Sequence, residues 1–400
     1  MRMSLKYWEI IMKNKIKNIE KAAERIKQAV ENKEKIILYG DSDLDGIASV
    51  VILEETIKNL GGEIYAVVFP DRENDGYGIN TKALEFLKNK APALFITLDL
   101  GIGNVKEAEI AKEIGFEVMI IDHHEPLDLL PDVNIIVNPQ QKSDNSEFKY
   151  LCDAGLVFKV CEEILQGIFS DKLRNSFLEL VALATIADMM PRVADNIIFI
   201  ENGLQSLQKT FRPGLRAFLD ILGEGEVAVG GYSKIISALN AAESKDFKNE
   251  SYVLLTSSSF EECMETAESL LAKAQYKQKK IKEITMEVER RISNNPNETI
   301  IFEGDPAWKL VLAGPVASII ASKYQKPTFI FKKGDNESCG SVRSLQEGKN
   351  SVDAMKSCSN ILITYGGHPK ASGFRIKTQN LEKFKNCLIE HFKKINNGKI

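Results

Sequence analysis

Apolar runs of strand length alternate with segments of helical periodicity through the first third of the chain. "KIILYG" (35–40), "EIYAVVF" (63–69), "ALFITLDL" (93–100), "FEVMIIDHH" (116–124) and "VNIIVNP" (133–139) read as strands, near-continuous in apolar character as in a sheet covered on both faces. Helical patterns separate them, from about Ile47 to Leu60, near 80–90 and over 104–114. This alternation predicts a parallel sheet with helices on both sides. Residues 151–222 lack strand signals and read as helical, and Gly223, Gly225, Gly230 and Gly231 then mark a linker. Beyond it, Leu270, Leu271, Ala274, Ile281, Ile284, Val288 and Ile292 recur at helical spacing. Strands return at "TIIFEG" (299–304), "KLVLAG" (309–314), "PTFIFKK" (327–333), "SCGSVRS" (338–344) and "ASGFRIK" (371–377), and a helix covers about 380–396. The expected organisation is an N-terminal amphipathic helix (1–31), a parallel-sheet α/β domain with a helical connector (32–222), and a smaller α/β domain (232–400).

Composition narrows the class without naming a function. A chain of 400 residues exceeds the size at which one core stops growing, so two lobes are expected. The net charge of −4 is not the basic excess that advertises nucleic acid, although a local groove can be positive on an acidic protein. Six cysteines without a C-x-x-C pair argue against a zinc ribbon or a secreted disulfide framework and point to a reducing cytoplasm. No apolar stretch approaches the roughly 20 residues that span a bilayer, and charge interrupts the N-terminal segment throughout, so neither a membrane span nor a signal peptide is expected.

Ligands of an open α/β sheet bind beyond the carboxyl ends of its strands, and that is where the acidic residues gather. "YGDSDLDGIASV" (39–50) places Asp41, Asp43 and Asp45 at alternate positions, which on an extended segment point the same way roughly 6.5 Å apart. Asp99 follows the third strand, Asp122-His123-His124 the fourth, and Asp188 in "ATIADMMP" ends a helical stretch. Crowded carboxylates repel severely in a low-dielectric crevice unless protons or cations relieve them. Oxygen ligands with one or two imidazoles suit Mn²⁺ or Mg²⁺ better than a thiolate-selected Zn²⁺ site. Two such ions roughly 3.5 to 4 Å apart would activate water and clamp a phosphate, which points to phosphodiester or phosphoanhydride hydrolysis. In the smaller domain, Gly366-Gly367-His368 and Gly373 let backbone N–H groups approach an anion, and Arg343 can grip a phosphate bidentately.

With these residues in place, the chain resembles the DHH phosphoesterases, and within them the RecJ-like single-strand exonucleases of the archaeal branch. "GDSDLDG", "PDRENDGYGIN" (70–80), "TLDLGI", "DHH", "LCDAGLVFK" (151–159), "ATIADMMP", "GSVRS" and "GGHPKASGF" resemble that family's motifs in shared order from about residue 35 to 375. The resemblance implies that Asp43 and Asp99 hold one of two metal ions. Asp45, Asp99, His123 and Asp188 hold the other, with Asp99 bridging. It implies orienting roles for Asp41 and Asp122, a His124 that faces the scissile phosphate, and nucleotide contacts from Arg343, Ser344, Gly366, Gly367 and His368 across a cleft between the lobes. The implied activity is hydrolysis of single-stranded DNA or RNA to mononucleotides in repair or replication, alongside a replisome or helicase partner.

Two departures from the family pattern stand out. Tyr39 occupies a position where many relatives carry a histidine ligand, and "SALNAAES" (237–244) has Ala238 and Ser244 where bacterial RecJ proteins carry substrate-gripping arginines. The chain also leaves no room for the OB-fold domain of bacterial RecJ, which makes a partner the expected source of grip on long strands. The competing enzymatic reading is a phosphodiesterase of short oligonucleotides, cyclic dinucleotides or nucleotide bisphosphates. A non-catalytic scaffold would have lost the acidic ligands, all of which are present here.

Overall fold

The computed structural model describes residues 16–223, 230–294 and 298–396. Residues 1–15 of the expected N-terminal helix and Gly225 of the expected linker lie outside them. The chain forms two compact units, Met1–Ala274 and Gln275–Ile400.

In the first unit, α1 (Ile19–Glu31) leads to β1 (Ile36–Gly40), α2 (Leu44–Asn59), β2 (Ala66–Val68), α3 (Thr81–Leu87), β3 (Ala93–Leu98), α4 (Val105–Ile114), β4 (Phe116–Ile121) and β5 (Ile135–Val137). The strands pair in the order β2-β1-β3-β4-β5, all parallel. Every residue of β1 and β3 is buried, and alternate side chains enter different cores. Ile36, Leu38, Leu94 and Ile96 pack with α1 and α2, whereas Ile37, Tyr39 and Phe95 pack with α3 and α4. That division follows from the period of two along a strand and explains why these segments read as unbroken apolar runs.

Helices follow over the stretch that lacks strand signals: α5 (Asp153–Ile164), α6 (Asp171–Ala187), α7 (Asp195–Leu207) and α8 (Pro213–Leu222). After the glycine segment come α9 (Tyr232–Leu239), a short hairpin of β6 (Ser244–Lys245) and β7 (Lys248–Asn249), α10 (Glu250–Thr256) and the 35-residue α11 (Phe260–Asn294). Ile235, Leu254 and Leu270 join the first core, so the first unit extends to Ala274 rather than ending near the glycines. Glycine-rich composition does not mark which core a later helix fills.

The second unit continues with β8 (Ile301–Asp305), α12 (Leu310–Tyr324), β9 (Thr328–Lys332), β10 (Glu337–Arg343), α13 (Ser351–Ser357), β11 (Leu362–His368), β12 (Ala371–Lys377) and α14 (Leu381–Asn396). Its sheet runs β11-β12-β10-β9-β8, with β8 parallel to β9 and the other pairs antiparallel. Phe302, Phe329, Phe331 and Phe374 pack on one face with Phe384 and Phe392 of α14, and Ile301 and Ile330 pack on the other with Val288, Val316 and Ile320.

Two expectations are corrected here, on "KLVLAG" and on the cysteines. "KLVLAG" opens α12 instead of a strand, because so short an apolar run is compatible with either state and the apolar pattern continues past Pro315 through Ile320. Gly366-Gly367-His368 lies on β11, an edge strand paired with Gly373, Ser372 and Ala371. Cys358 and Cys387 form a disulfide, where unpaired cysteines were expected. The end of α13 and α14 bring their Cα atoms to 6.1 Å, a proximity that their separation of 29 residues does not signal.

The α6 and α7 crossing is closest at Gly203, where a Cβ would lie 2.1 Å from the Leu178 carbonyl oxygen and 2.5 Å from Ala182 Cβ. Replacement Gly203→Ala is expected to lower stability by about 1–3 kcal/mol. A urea midpoint equal to that of the parent protein would show that the crossing is not so constrained.

Candidate metal centre

The chain leaves β1 through Asp41, whose backbone N–H donates to the Leu98 carbonyl at 3.1 Å and so keeps this residue in the ladder. It then turns directly into α2. Asp43 is the N-cap, its Oδ1 accepting from the N–H groups of Asp45 and Gly46 at 3.1 and 3.2 Å. Gly46 is obligatory here, since a Cβ would sit 2.5 Å from the Asp41 carbonyl oxygen. The three aspartates are therefore not alternate residues of one extended segment: Asp41 ends a strand, Asp43 caps a helix and Asp45 lies in its first turn. The cap and turn sequence decides this, because Asp43 at a strand-to-helix junction satisfies orphan N–H groups of the helix and Gly46 lets the first turn approach Asp41.

Asp45 is buried, and its two oxygens accept from the N–H groups of Asp153 and Ala154 at 2.7 and 2.8 Å, at the start of α5. Asp99 follows β3 with φ +63°, a left-handed conformation uncommon for a residue other than glycine, and its N–H donates to the Ile121 carbonyl at 3.1 Å. Asp122, after β4, accepts from Ile102 N–H at 2.9 Å through Oδ2, and its Oδ1 lies 2.8 Å from His124 Nδ1. Asp188 caps the C-terminal end of α6.

His123 shows what the cluster lacks. Its Nδ1 lies 3.0 Å from the Leu151 carbonyl, which can only accept, so the proton resides on Nδ1. Its Nε2 then faces Asp99 Oδ1 at 3.2 Å, Asp45 Oδ2 at 3.6 Å and Asp188 Oδ2 at 3.7 Å. Asp99 Oδ1 and Asp188 Oδ2 are buried without a hydrogen-bond partner. Lone pairs aimed at a common point are repulsive unless a proton or cation sits among them, and a histidine whose other nitrogen donates to a carbonyl is the usual support for a metal ligand. Ligand atoms of Asp45, Asp99 and His123 lie within 4.8 Å of one another, as do those of Asp41, Asp43 and Asp99. Two adjoining oxygen-rich sites that share Asp99 fit Mn²⁺ or Mg²⁺.

Three residues of this centre escaped the reading of motifs. Arg72 lies across Asp41 and Asp43, with Nε donating to Asp41 Oδ1 at 2.6 Å and Nη2 to Asp43 Oδ2 at 2.9 Å. Tyr77, exposed, carries its hydroxyl 3.0 Å from His124 Nε2 and lies under the Arg72 guanidinium. Both belong to "PDRENDGYGIN", whose one arginine among acids was the available signal. Asp153 is fully buried with neither oxygen hydrogen-bonded, and only its place in "LCDAGLVFK" could have drawn attention to it. Tyr39 is fully buried, its hydroxyl donating to the Gly78 carbonyl at 3.1 Å and accepting from Asn80 Nδ2 at 3.1 Å.

The remaining candidates belong to the second unit. Arg343 ends β10 with Nε donating to Ser318 Oγ at 3.0 Å, and Ser344 is buried with its hydroxyl unpartnered. The His368 carbonyl accepts from Ser351 Oγ at 3.2 Å, and Gly367 has φ +128° with no room for a Cβ beside the Ala371 carbonyl.

Residues 35–185 match the DHH family, N-terminal domain, and residues 297–394 match the DHHA1 domain. The chain is 32% identical over 382 residues to the single-stranded-DNA-specific exonuclease RecJ of Bacillus subtilis, covering 94% of this chain but 48% of that protein, so it spans about half the length of that relative. A crystal structure of exonuclease RecJ bound to manganese superposes with a TM-score of 0.75 at 25% identity, covering 95% of each chain. RecJ of Thermus thermophilus in complex with Mn²⁺ superposes with a TM-score of 0.77 at 24% identity, over 95% of this chain and 55% of that one.

Burial sets the electrostatics of the centre. It pushes Asp45 up to about 7, assisted by the Asp43 charge, and it lifts Asp99, Asp153 and Asp188 well above the usual carboxylate range, with Asp45 adding to each. Asp43 falls instead: burial raises it, but Arg72 and the Gly46 N–H outweigh that. Burial also opposes the charges of Asp122 and His124, yet their contact holds the carboxyl at about 2 and raises the imidazole to about 9. Groups with raised folded-state values bind protons that the unfolded chain has already released. The carboxylates do so above about pH 4 and His124 from about 6.5 to about 9, so in chelator the thermal midpoint should fall from about pH 5 to about pH 8. Saturating Mn²⁺ should flatten this slope by taking the place of those protons, and a flat profile in chelator would contradict the assignment.

Proposed function

We propose that this chain, which belongs to the DHH superfamily and is RecJ-like, is a metal-dependent exonuclease acting on single-stranded nucleic acid. The observation that carries this reading is the Nε2 of His123, aimed with three carboxylate oxygens at one point beside a second cluster that shares Asp99. The names of the relatives support the same substrate class. In this reading Asp43 and Asp99 hold one ion, and Asp45, Asp99, His123 and Asp188 the other. Two divalent ions bound there supply charge neutralisation, activation of water and stabilisation of the leaving oxygen.

The residues around them hold and charge the substrate. Asp122 fixes the His124 ring through Nδ1 and keeps it cationic, the state that pairs with a phosphate as charge develops on its oxygens. Tyr77 meets the other ring nitrogen and limits the ring's rotation. Arg72 offsets the charge of Asp41 and Asp43, which leaves the shared Asp99 with a buried oxygen that has no hydrogen-bond partner. Arg343, Ser344, Gly366, Gly367 and His368 are assigned to the nucleotide. DNA and RNA are both within this reading, as is a role in repair or replication with a replisome or helicase partner.

Among the described residues no helix is long and apolar enough to cross a membrane.

A time course on single strands labelled at either end, as DNA and as RNA with Mn²⁺, should release mononucleotides and identify the end attacked. The Asp99→Ala variant is expected to lose about 10³-fold or more of this activity, since removing it disrupts both ion sites. Full activity in that variant would overturn the two-ion reading. Products confined to cleavage of di- to pentanucleotides would instead favour a phosphodiesterase of short substrates.

A further inference from the structure

A strip of aromatic and basic side chains, exposed at Tyr65 and Phe86 and half-buried at Lys35, Lys90 and Phe247, runs beside the edge strand of the parallel sheet, apart from the metal centre. Tyr65 precedes β2 and is half exposed, and Lys35 and Lys90 lie 4.9 and 5.3 Å from its ring centroid. The same Lys90 lies 5.7 Å from the ring of Phe86, which is 53% exposed on α3. Phe86 in turn meets Phe247 at 4.9 Å between centroids, with the rings tilted by 34°. Aromatic, lysine and aromatic residues thus follow one another across the surface of the unit, where isolated apolar residues would be unremarkable.

The way Phe247 is held gives an independent sign of purpose. It forms the turn of the β6-β7 hairpin with Asp246, and both have left-handed backbone, φ +62° and +50°. Turns of this kind select glycine or asparagine, and a bulky aromatic residue there is strained. Lys245 and Lys248 flank it, both exposed. The hairpin is also anchored to the sheet's carboxyl edge: the Phe247 carbonyl accepts from Phe69 N–H at 3.0 Å, and Ser244 Oγ donates to Ser42 Oγ at 3.2 Å. Ser42 lies between Asp41 and Asp43. Lys35 and Tyr65 sit at the opposite, amino-terminal ends of β1 and β2. The strip therefore leads from the loop of the metal centre along the whole edge of the sheet.

We propose that this strip is a platform for single-stranded nucleic acid outside the metal centre, with bases stacked on Phe247, Phe86 and Tyr65 and phosphates paired to Lys90 and Lys35. Every base has a face that stacks on an aromatic ring, and lysines between rings track the backbone without reading sequence, so the platform takes strands of any composition. The inference rests on the reading of the chain as acting on single strands, and it supplies from the chain itself part of the grip on long strands.

The test is anisotropy of a labelled strand of about 30 nucleotides and of a labelled tetranucleotide, in chelator, with the full chain and the double variant Phe86→Ser, Phe247→Gly. Loss of two stacking rings should weaken the long strand about tenfold or more and leave the tetranucleotide unchanged. Glycine accepts the turn's backbone conformation, so the variant should fold, with an unchanged melting curve as the check. Lys90→Glu should weaken the long strand as well and lower its salt dependence. Equal affinity of parent and variants for the long strand would overturn the platform, as would a parent dimer that the double variant dissolves, which would assign the strip to a second copy. Cleavage of the tetranucleotide with Mn²⁺ is read in the same preparations. Strip-dependent binding without cleavage would refute the nuclease reading alone, and cleavage without strip-dependent binding would refute the platform alone.

Discussion

Mutual repulsion among the carboxylates gathered around Asp99 is the constraint on which the first unit is built. Asp41, Asp43, Asp45, Asp99, Asp122, Asp153 and Asp188 meet within a few side chains of one another, most of them buried, and burial together with the neighbouring charges pushes Asp45, Asp99, Asp153 and Asp188 toward their protonated forms. A fold can hold such a group only by supplying positive partial charge from every side. The N-terminus of α2 does so for Asp43, the N-terminus of α5 for Asp45, and the Ile102 N–H for Asp122. Arg72 and His124 contribute full charges. What remains uncompensated is the meeting of Asp99 and Asp188 with His123, which the proposed divalent cation would neutralise.

The rest of the unit follows from keeping those groups in register. Parallel strands align their carboxyl ends at one edge, and the ladder continues one residue past each strand through Asp41, Asp99 and Asp122, whose N–H groups donate to Leu98, Ile121 and Val137. Three acidic residues of the centre are therefore placed by backbone pairing rather than by loop conformation. Burying both faces of the sheet makes that pairing stiff, and the close approach of α2 to Asp41 depends on Gly46 having no side chain. The left-handed backbone of Asp99 fits the same pattern of local strain held in place by a rigid surrounding.

Tyr39 illustrates how a departure from a family pattern is absorbed. A histidine there would offer a nitrogen, whereas the tyrosine hydroxyl is engaged by Gly78 and Asn80 within the second core. The neighbouring charge is met by Arg72 instead. The "SALNAAES" segment likewise supports the centre through its polar side chains. Asn240 Oδ1 accepts from the Leu44 N–H at 2.9 Å, at the start of α2, while Ser244 reaches Ser42. The segment thus braces the loop that carries Asp43 and presents the hairpin with Phe247.

By itself, the amino-acid sequence determined the alternating α/β architecture, because strands buried on two faces are unbroken apolar runs and the helices between them carry the 3.6 period. It also determined which acidic and imidazole groups sit at strand ends, since position after an apolar run is a local property, and shared order carried the likeness to the DHH family. Where a signal depends on contacts distant along the chain, only the tertiary structure decided. It set α12 in place of a strand, since "KLVLAG" fits both states until its packing against β9 and β10 is known. It extended the first unit to Ala274 by burying α9 and α10 in its core, and it joined Cys358 to Cys387 across two helices. It turned three aspartates from one extended row into a strand end, an N-cap and a first helical turn. It also brought Arg72, Tyr77 and Asp153 to them, because which charge neutralises which is settled by distances of a few ångströms between segments that the sequence keeps tens of residues apart.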